Sequence, residues 1–468
     1  MQRAAQSAFD VMRNKWPKAQ NIAIVVGNDD NTSNGYFLAR LCISAGLDVE
    51  IYYLTTPQTL INEVKEAYLS AKEMNVIIKP FTSNCLEKAD IIVDAIMGIG
   101  IDRSLSGIWL GAIMAINRAH AKVLSLDIPT GLNANTGALY TDAVKADVTV
   151  TFLAMKPGLL TGYGLEKAGE VILADLHFPS EYFDSVRPKA YLFNVNLITE
   201  WLAPRRISTH KGDYGHVLII GGQPGMGGSV LLAGEAALRT GAGLVSIATH
   251  SSHASVAMLY RPELMVHGIG KPEKLDALIA AASCIVIGCG LGTDEWGYDL
   301  LKIALSSQKT LIIDADGLNI ISKSPELDLL IRENKNIVVT PHPLEASRLL
   351  GLSLNAVESD RLKAASLLAD KFPIAVLKGS GSIVVDQDII SINTTGNPGM
   401  ASAGMGDVLS GIIAGLYVQG LSLRRATRVG VWLHGTAGDI AADNCGEHSM
   451  IASDVILALK GVLRDNYR

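Results

Sequence analysis

The sequence predicts two successive α/β domains, each a largely parallel, doubly wound sheet covered by helices. Three observations carry this expectation. The chain has 468 residues, more than one hydrophobic core ordinarily organises. Charged residues make up 18% and mean hydropathy is +0.27, which suits strands buried on both faces better than a sheet with one wet side. Short β-branched runs alternate with helical patterns, stop in a stretch bearing Pro and Arg, and then begin to alternate again.

In the first half, strands are expected at residues 22–26, 49–54, 91–94 and 123–127, with helices at 35–46, 59–74 and 108–119. Runs at 148–152 and 171–173 continue the sheet. A connector over about residues 178–213 contains Arg187-Pro188 and Pro204-Arg205-Arg206, and the boundary is placed near Leu202, giving units 1–201 and 202–468. Strands are then expected at 217–220, 245–248, 284–287, 311–313, 337–339 and 375–377, and an edge hairpin at 383–385 and 389–392 turns at Asp386-Gln387-Asp388. No short repeat recurs, which excludes a solenoid.

Formal net charge is -6 and basic residues cluster no further than pairs such as Arg424-Arg425, so a nucleic-acid partner is not expected. The long uncharged stretches 277–292 and 408–420 are broken by Gly, Ser or Cys, and no membrane span is expected. The five cysteines form no C-x-x-C and read as reduced, mostly buried thiols. Residues 1–17 are polar and helix-like without an apolar signal segment, so the expected location is the cytoplasm.

The run from Gly396 to Gly411 joins glycines, a carboxylate and an apolar helical stretch at 408–417. Glycines let backbone N–H groups approach a phosphate, and the helix turns its positive end towards it. Asp407, in the first turn, is placed to take a proton from a substrate hydroxyl during phosphoryl transfer. Ligands of parallel α/β sheets gather at the carboxyl ends of strands, where this chain places loops 221–228, 288–292, 314–316, 340–345 and 378–382. Lys378, followed by Gly379-Ser380-Gly381-Ser382, suits the phosphates of a nucleotide. His342 is held between two prolines, and Glu345 either caps the next helix or holds Mg²⁺ through water.

With His210-Lys211-Gly212-Asp213-Tyr214-Gly215, the run from Gly234 to Val245, Arg261-Pro262-Glu263-Leu264-Met265, the His342-Pro343 loop, Lys378-Gly379 and the Asp407 motif, the second half resembles the ribokinase-like superfamily and, within it, the ADP/ATP-dependent NAD(P)H-hydrate dehydratases. It implies repair of a damaged coenzyme: the C6 hydroxyl of hydrated NADH or NADPH (NADHX, NADPHX) is phosphorylated, and loss of phosphate restores the coenzyme. By motif, Asp407 is the base; Lys378, Gly379, Ser380, Gly381, Ser382 and Gly406 hold the nucleotide; Ser229, Gly290, His342 and Asp407 contact the hydrate. The implied phosphoryl donor is ADP, with ATP as the alternative, together with Mg²⁺. Ala403 stands where a glycine is common.

In the first half, a polar loop at 27–35 follows the first strand, and later strands end in Asp94 and Asp127, so that both face one crevice. With Asp127-Ile128-Pro129-Thr130-Gly131-Leu132 and the run from Phe152 to Leu160, this half resembles NAD(P)H-hydrate epimerase domains, a Rossmann-like three-layer α/β/α fold. The resemblance makes Asp127 a catalytic and substrate-contacting residue and Lys156 its proton partner. It lines the substrate with Gly98, Ile99, Gly100, Ile101, Asp102, Arg103 and Ser104, and places K⁺ on Asn31, Asp94 and Thr130. The chain departs from the family's G-x-G-N-N-G-G-D-G loop: Asp29, Thr32 and Ser33 replace glycines, Asp30 replaces Asn, and Asn34 replaces Asp. Two readings stay open for this half, an epimerase and a noncatalytic ligand-binding or oligomerisation module. For the second half the alternative is a kinase of a small alcohol or vitamin precursor. A homo-oligomer is expected.

Overall fold

The computed structural model describes residues 1–100, 104–193, 201, 205–270, 275–387 and 389–466. The chain divides into two compact units, Met1–Pro188 and Lys189–Arg468. The division precedes the connector residues Tyr191–Leu192, which pair with the sheet of the second unit.

In the first unit the strands are β1 (Asn21–Val26), β2 (Asp48–Tyr53), β3 (Ile77–Pro80), β4 (Ile91–Ala95), β5 (Lys122–Leu126), β6 (Val148–Phe152) and β7 (Glu170–Ala174). They form a seven-stranded sheet in the order β3-β2-β1-β4-β5-β6-β7, parallel throughout. The helices are α1 (Gln2–Lys15), α2 (Asp30–Ser44), α3 (Asn62–Glu73), α4 (Ile108–Arg118) and the short α5 (Gly164–Lys167). The core with α1, α2 and α3 holds Ile24, Leu38 and Ile51, all fully buried; a side chain of that size contributes on the order of 1.5–3 kcal/mol. Ile92, Ile96, Ile113 and Ile116 form the core beneath α4. Strand order reverses between β1 and β4, so their carboxyl ends flank the crevice of a doubly wound sheet.

The expected loop at 27–35 is shorter than the sequence suggested. Helix α2 begins at Asp30, because Asp29 accepts the Asn31 backbone N–H and caps it, leaving 31–34 in buried helix.

The second unit carries β8 (Tyr191–Leu192), β9 (His216–Ile220), β10 (Leu244–His250), β11 (Met265–Ile269), β12 (Cys284–Ile287), β13 (Thr310–Ile313), β14 (Ile337–Val339), β15 (Ile374–Leu377), β16 (Ser382–Asp386) and β17 (Ile390–Asn393). Its ten-stranded sheet runs β11-β10-β9-β12-β13-β14-β15-β16-β17-β8. The strands from β11 to β15 are parallel and buried in the middle, as their Ile- and Val-rich runs require, and β15, β16 and β17 pair antiparallel. The expected hairpin is thus present, although Asp388 of its turn lies outside the described residues.

The helices are α6 (Gly227–Thr240), α7 (Ala254–Tyr260), α8 (Asp276–Ala281), α9 (Glu295–Ser306), α10 (Ala315–Ile321), α11 (Asp328–Glu333), α12 (Pro343–Leu350), α13 (Leu354–Ser359), α14 (Arg361–Ala369), α15 (Met405–Tyr417), α16 (Leu423–Cys445) and α17 (Ala452–Asn466). Helix α15 lies against α6, where Gly411 and Gly415 are needed: a Cβ on Gly411 would stand 2.1 Å from the Ala233 carbonyl. No helix among the described residues is long and apolar enough to cross a membrane.

Candidate active sites

Helix α15 starts from Gly404, whose φ of +89° suits glycine, and brings Asp407 into its first turn. Gly406 is required by proximity: a Cβ there would stand 2.7 Å from Asp314 Oδ2 and 3.1 Å from Lys378 Nζ. Asp407 is 8% exposed. Burial pushes its carboxyl up to about 6; the Asp314 charge adds to this, and hydrogen bonding from Cys289 and Ser229 and the charge of Lys378 oppose it. Such a group is ionised at neutral pH and still basic enough to receive a proton.

Around it the strand-end loops supply a charged network. Lys378 Nζ lies 2.7 Å from Asp314 Oδ1 and 3.9 Å from Glu345 Oε2. Burial works against its charge, but the two carboxylates prevail and raise its pKa. Glu345 accepts the His342 backbone N–H at 2.8 Å, while His342 Nδ1 accepts from the backbone of Leu344 and Glu345, so the pair forms a reciprocal cap on α12. Its other oxygen lies 3.2 Å from His342 Nε2. Burial and the nearby Lys378 hold the His342 pKa below its ordinary value, and burial raises that of Glu345.

The structure therefore gathers Asp407, Ser229 and Gly406 with Lys378 and His342, as the sequence suggested. Gly290 joins Ser229, since a Cβ on it would stand 3.3 Å from Ser229 Cβ. Gly379, with φ +129°, and Gly381, with φ +65°, shape the loop after β15, and the Ser382 hydroxyl donates to the Gly379 carbonyl at 3.1 Å. Lys378, expected at the phosphates of a nucleotide, is paired with Asp314 at the end of β13. Asp314, Cys289 and Arg361 had no assigned role in the sequence. Arg361, 4% exposed, bonds the Lys378 carbonyl at 3.2 Å and so supports the loop from behind.

In the first unit, Asp94 is fully buried at the end of β4 and accepts from Thr130 Oγ1 at 2.7 Å, Thr130 N at 2.8 Å and Ser125 Oγ at 2.9 Å. Burial raises its pKa against these bonds. Asn31 reaches the Leu126 carbonyl at 2.7 Å and the Met97 carbonyl at 3.3 Å, and Thr130 Oγ1 also meets Met97 O. Asn31, Asp94 and Thr130 are thus brought to one crevice. Asp127, at φ +65°, accepts from Lys156 Nζ at 2.5 Å, Phe152 N at 3.1 Å and Thr151 Oγ1 at 3.2 Å. Gly98 donates its N–H to Asp29 at 2.7 Å, Ile99 is 62% exposed, and Ser104 Oγ donates to the Tyr140 carbonyl at 3.2 Å. A Cβ on Gly100 would meet open space. Ile101, Asp102 and Arg103 lie outside the described residues.

The model of the NAD(P)H-hydrate dehydratase family matches residues 217–460, and that of the YjeF-related protein N-terminus matches residues 1–158. The bifunctional NAD(P)H-hydrate repair enzyme Nnr of Coxiella burnetii is 40% identical over 98% of this chain and 93% of its own length. The chain belongs to the bifunctional NAD(P)H-hydrate repair enzyme family. The repair enzyme of the same name from Escherichia coli is 39% identical over 99% of this chain and 89% of its own. Among solved structures, a ribokinase-like superfamily protein of Enterococcus faecalis superposes with a TM-score of 0.55 at 29% identity, covering 60% of this chain and 98% of that one. The ADP/ATP-dependent NAD(P)H-hydrate dehydratase of Bacillus subtilis, co-crystallised with ATP and Mg²⁺, gives 0.53 at 27%, covering 59% and 99%. The ribokinase-like expectation for the second unit of this repair-enzyme chain therefore holds.

The residues present fit the ions the family implies. The crevice of Asn31, Asp94 and Thr130 offers oxygen donors with one buried carboxylate, a low-charge set suited to a monovalent cation. Asn34, bonded to Asn31, leaves its own buried Oδ1 without a hydrogen-bond partner. No cluster of three or more His, Cys, Asp or Glu side chains that could hold a metal occurs among the described residues. Asp314 and Glu345 suit instead a Mg²⁺ that keeps its waters and arrives with substrate phosphates.

Proposed function

We propose that the second unit dehydrates the S hydrate of NADH or NADPH with ADP as phosphoryl donor, releasing AMP and phosphate, and that Asp407 is its base. The observation that carries this reading is the position of Asp407 in the first turn of α15, buried, with a pKa of about 6 and beside Gly406, Lys378 and Asp314. Asp407 takes the proton of the C6 hydroxyl as that oxygen bonds to phosphorus and the bond from phosphorus to the AMP oxygen breaks. Hydroxide is a poor leaving group and phosphate a good one. The ring nitrogen's electron pair then expels phosphate from C6, and loss of a proton from the neighbouring carbon restores the ring double bond.

The loop of Gly379, Ser380, Gly381 and Ser382, with Gly406, receives the nucleotide through backbone groups, and Asp314 and Arg361 fix Lys378 in place beside it. Ser229, Gly290 and His342 face the hydrate. Mg²⁺, held by the phosphates with Asp314 and Glu345 as outer partners, supplies neutralisation of phosphate charge.

We assign epimerisation of the R and S hydrates to the first unit. Asp127, held by Lys156, exchanges the proton, and residues 98–104 line the substrate. Asn31, Asp94 and Thr130 are the residues that would hold K⁺, which would supply positive charge at the crevice. The decisive experiment gives the purified chain resolved R and S hydrates with ADP or with ATP. The S hydrate is converted directly with ADP, and the R hydrate is converted faster than its uncatalysed epimerisation allows. A stable phosphorylated product in place of the reduced coenzyme would point to a small-alcohol kinase.

A further inference from the structure

We propose that Asp439, on α16, is a positioning residue for dehydration: through Gly396 and Asn397 it sets the segment that leads into the helix of Asp407. The inference rests on Asp407 being the base. Residues 394–403 lie mainly at the surface, yet the amide groups of 404–406 and the carboxylate of Asp407 depend on where this segment ends. Something must hold it.

Helix α16 turns one face to the segment, formed by His434, Gly435, Gly438 and Asp439, positions that neighbour one another at helical spacing. Two of these are glycines in close contact with it: a Cβ on Gly435 would stand 2.7 Å from the Thr395 carbonyl oxygen, a backbone atom that cannot yield, and one on Gly438 would stand 2.4 Å from Met400 Sδ, which would have to move aside. The segment thus lies directly on helix backbone, where Thr395 Oγ1 also donates to the Trp432 carbonyl at 3.2 Å.

Asp439 uses both of its oxygens on the segment. Gly396 N donates to Oδ2 at 2.9 Å and Asn397 Nδ2 to Oδ1 at 3.0 Å. Asn397 Oδ1 in turn accepts from Gly399 N at 3.1 Å, which passes the restraint into the turn at Pro398–Met400. Hydrogen bonds to a carboxylate are roughly twice as strong as neutral ones. At the far end the buried His434 ring meets the Met405 backbone, so both ends of the segment are referenced to the same helix. A misplacement of about 1 Å at a reacting group lowers turnover by up to about 100-fold.

The test uses the full-length chain with Asp439→Asn, Asn397→Asp and the double variant. The Asp439→Asn change keeps an oxygen for Gly396 N but sets the new amide against that of Asn397; in the double variant the amide donates to a carboxylate again. Expected are a fall in kcat of about tenfold or more for Asp439→Asn with the S hydrate and ADP, an unchanged KM for the hydrate, a Tm close to the parent, and recovery of most of the loss in the double variant. An unchanged kcat, or a loss that follows Tm and is not restored by the exchange, would overturn the proposal. Asp407→Asn is assayed in parallel: turnover there would remove the base assignment itself, whereas an inert Asp407→Asn with a fully active Asp439→Asn would remove only the positioning role.

Discussion

Acid titrates the base where it stands. With the Asp407 carboxyl at about 6 rather than the ordinary 3.8, its ionised fraction falls from about ten-elevenths at pH 7 to about one-eleventh at pH 5, so kcat/KM for the S hydrate falls about tenfold over that interval. A carboxyl at the ordinary value would lose less than about a tenth of its ionised form. The assay follows return of the reduced coenzyme's absorbance at saturating ADP and constant ionic strength. A profile flat down to pH 5 would refute the reasoning.

Stability gives a second reading of the same shift. The displacement from 3.8 to about 6 corresponds to about 3 kcal/mol by which burial of the ionised group opposes folding. Because the folded-state pKa is the higher one, protonation favours the fold: this penalty is fully present above pH 6, shrinks as pH falls, and is gone near pH 4. Asp407→Asn lacks it. The variant is expected to lose turnover, to keep nucleotide binding, and to melt above the parent at pH 8 with the difference closing towards pH 4. A variant less stable than the parent at pH 8 contradicts the burial argument.

Gly406→Ala drives a methyl group into Asp314 and Lys378 and should weaken ADP binding by about tenfold or more, a cost in the range of over-packing; calorimetry that finds unchanged affinity would move the nucleotide elsewhere. Asp127→Ala should slow use of the R hydrate alone, and a matching loss with the S hydrate would contradict two separate sites. Exchange of K⁺ for tetramethylammonium should slow epimerisation and spare dehydration, and full epimerase activity without K⁺ would remove that ion from the crevice. Chelation of Mg²⁺ should stop dehydration reversibly, and turnover persisting in excess chelator would show the phosphates need no divalent ion.

The alternation of β-branched runs marked the central strands because parallel strands buried on both faces leave a continuous apolar signature, and the hairpin at β16 and β17 was readable from its polar turn. The strands β3, β8 and β11 escaped the pattern, being partly or largely exposed and mixed in composition. The first turn of α2 escaped it too. Asn31, Thr32, Ser33 and Asn34 read as a loop since such side chains compete for backbone bonds, and burial against the sheet overrides that tendency.

The sequence by itself determined the kinds of chemistry available: a carboxylate behind glycines at the start of an apolar helix, and a lysine before a glycine loop and a histidine between prolines, each just past an apolar strand. Local pattern is enough for this, because backbone conformation and strand burial act over a few residues. Only the tertiary structure decided which charges meet. The Lys378 and Asp314 pair spans 64 residues of chain, and the raised pKa of Asp407 comes from enclosure by loops distant in sequence. Electrostatic energy depends on separation and desolvation in space, and neither is written in the order of residues.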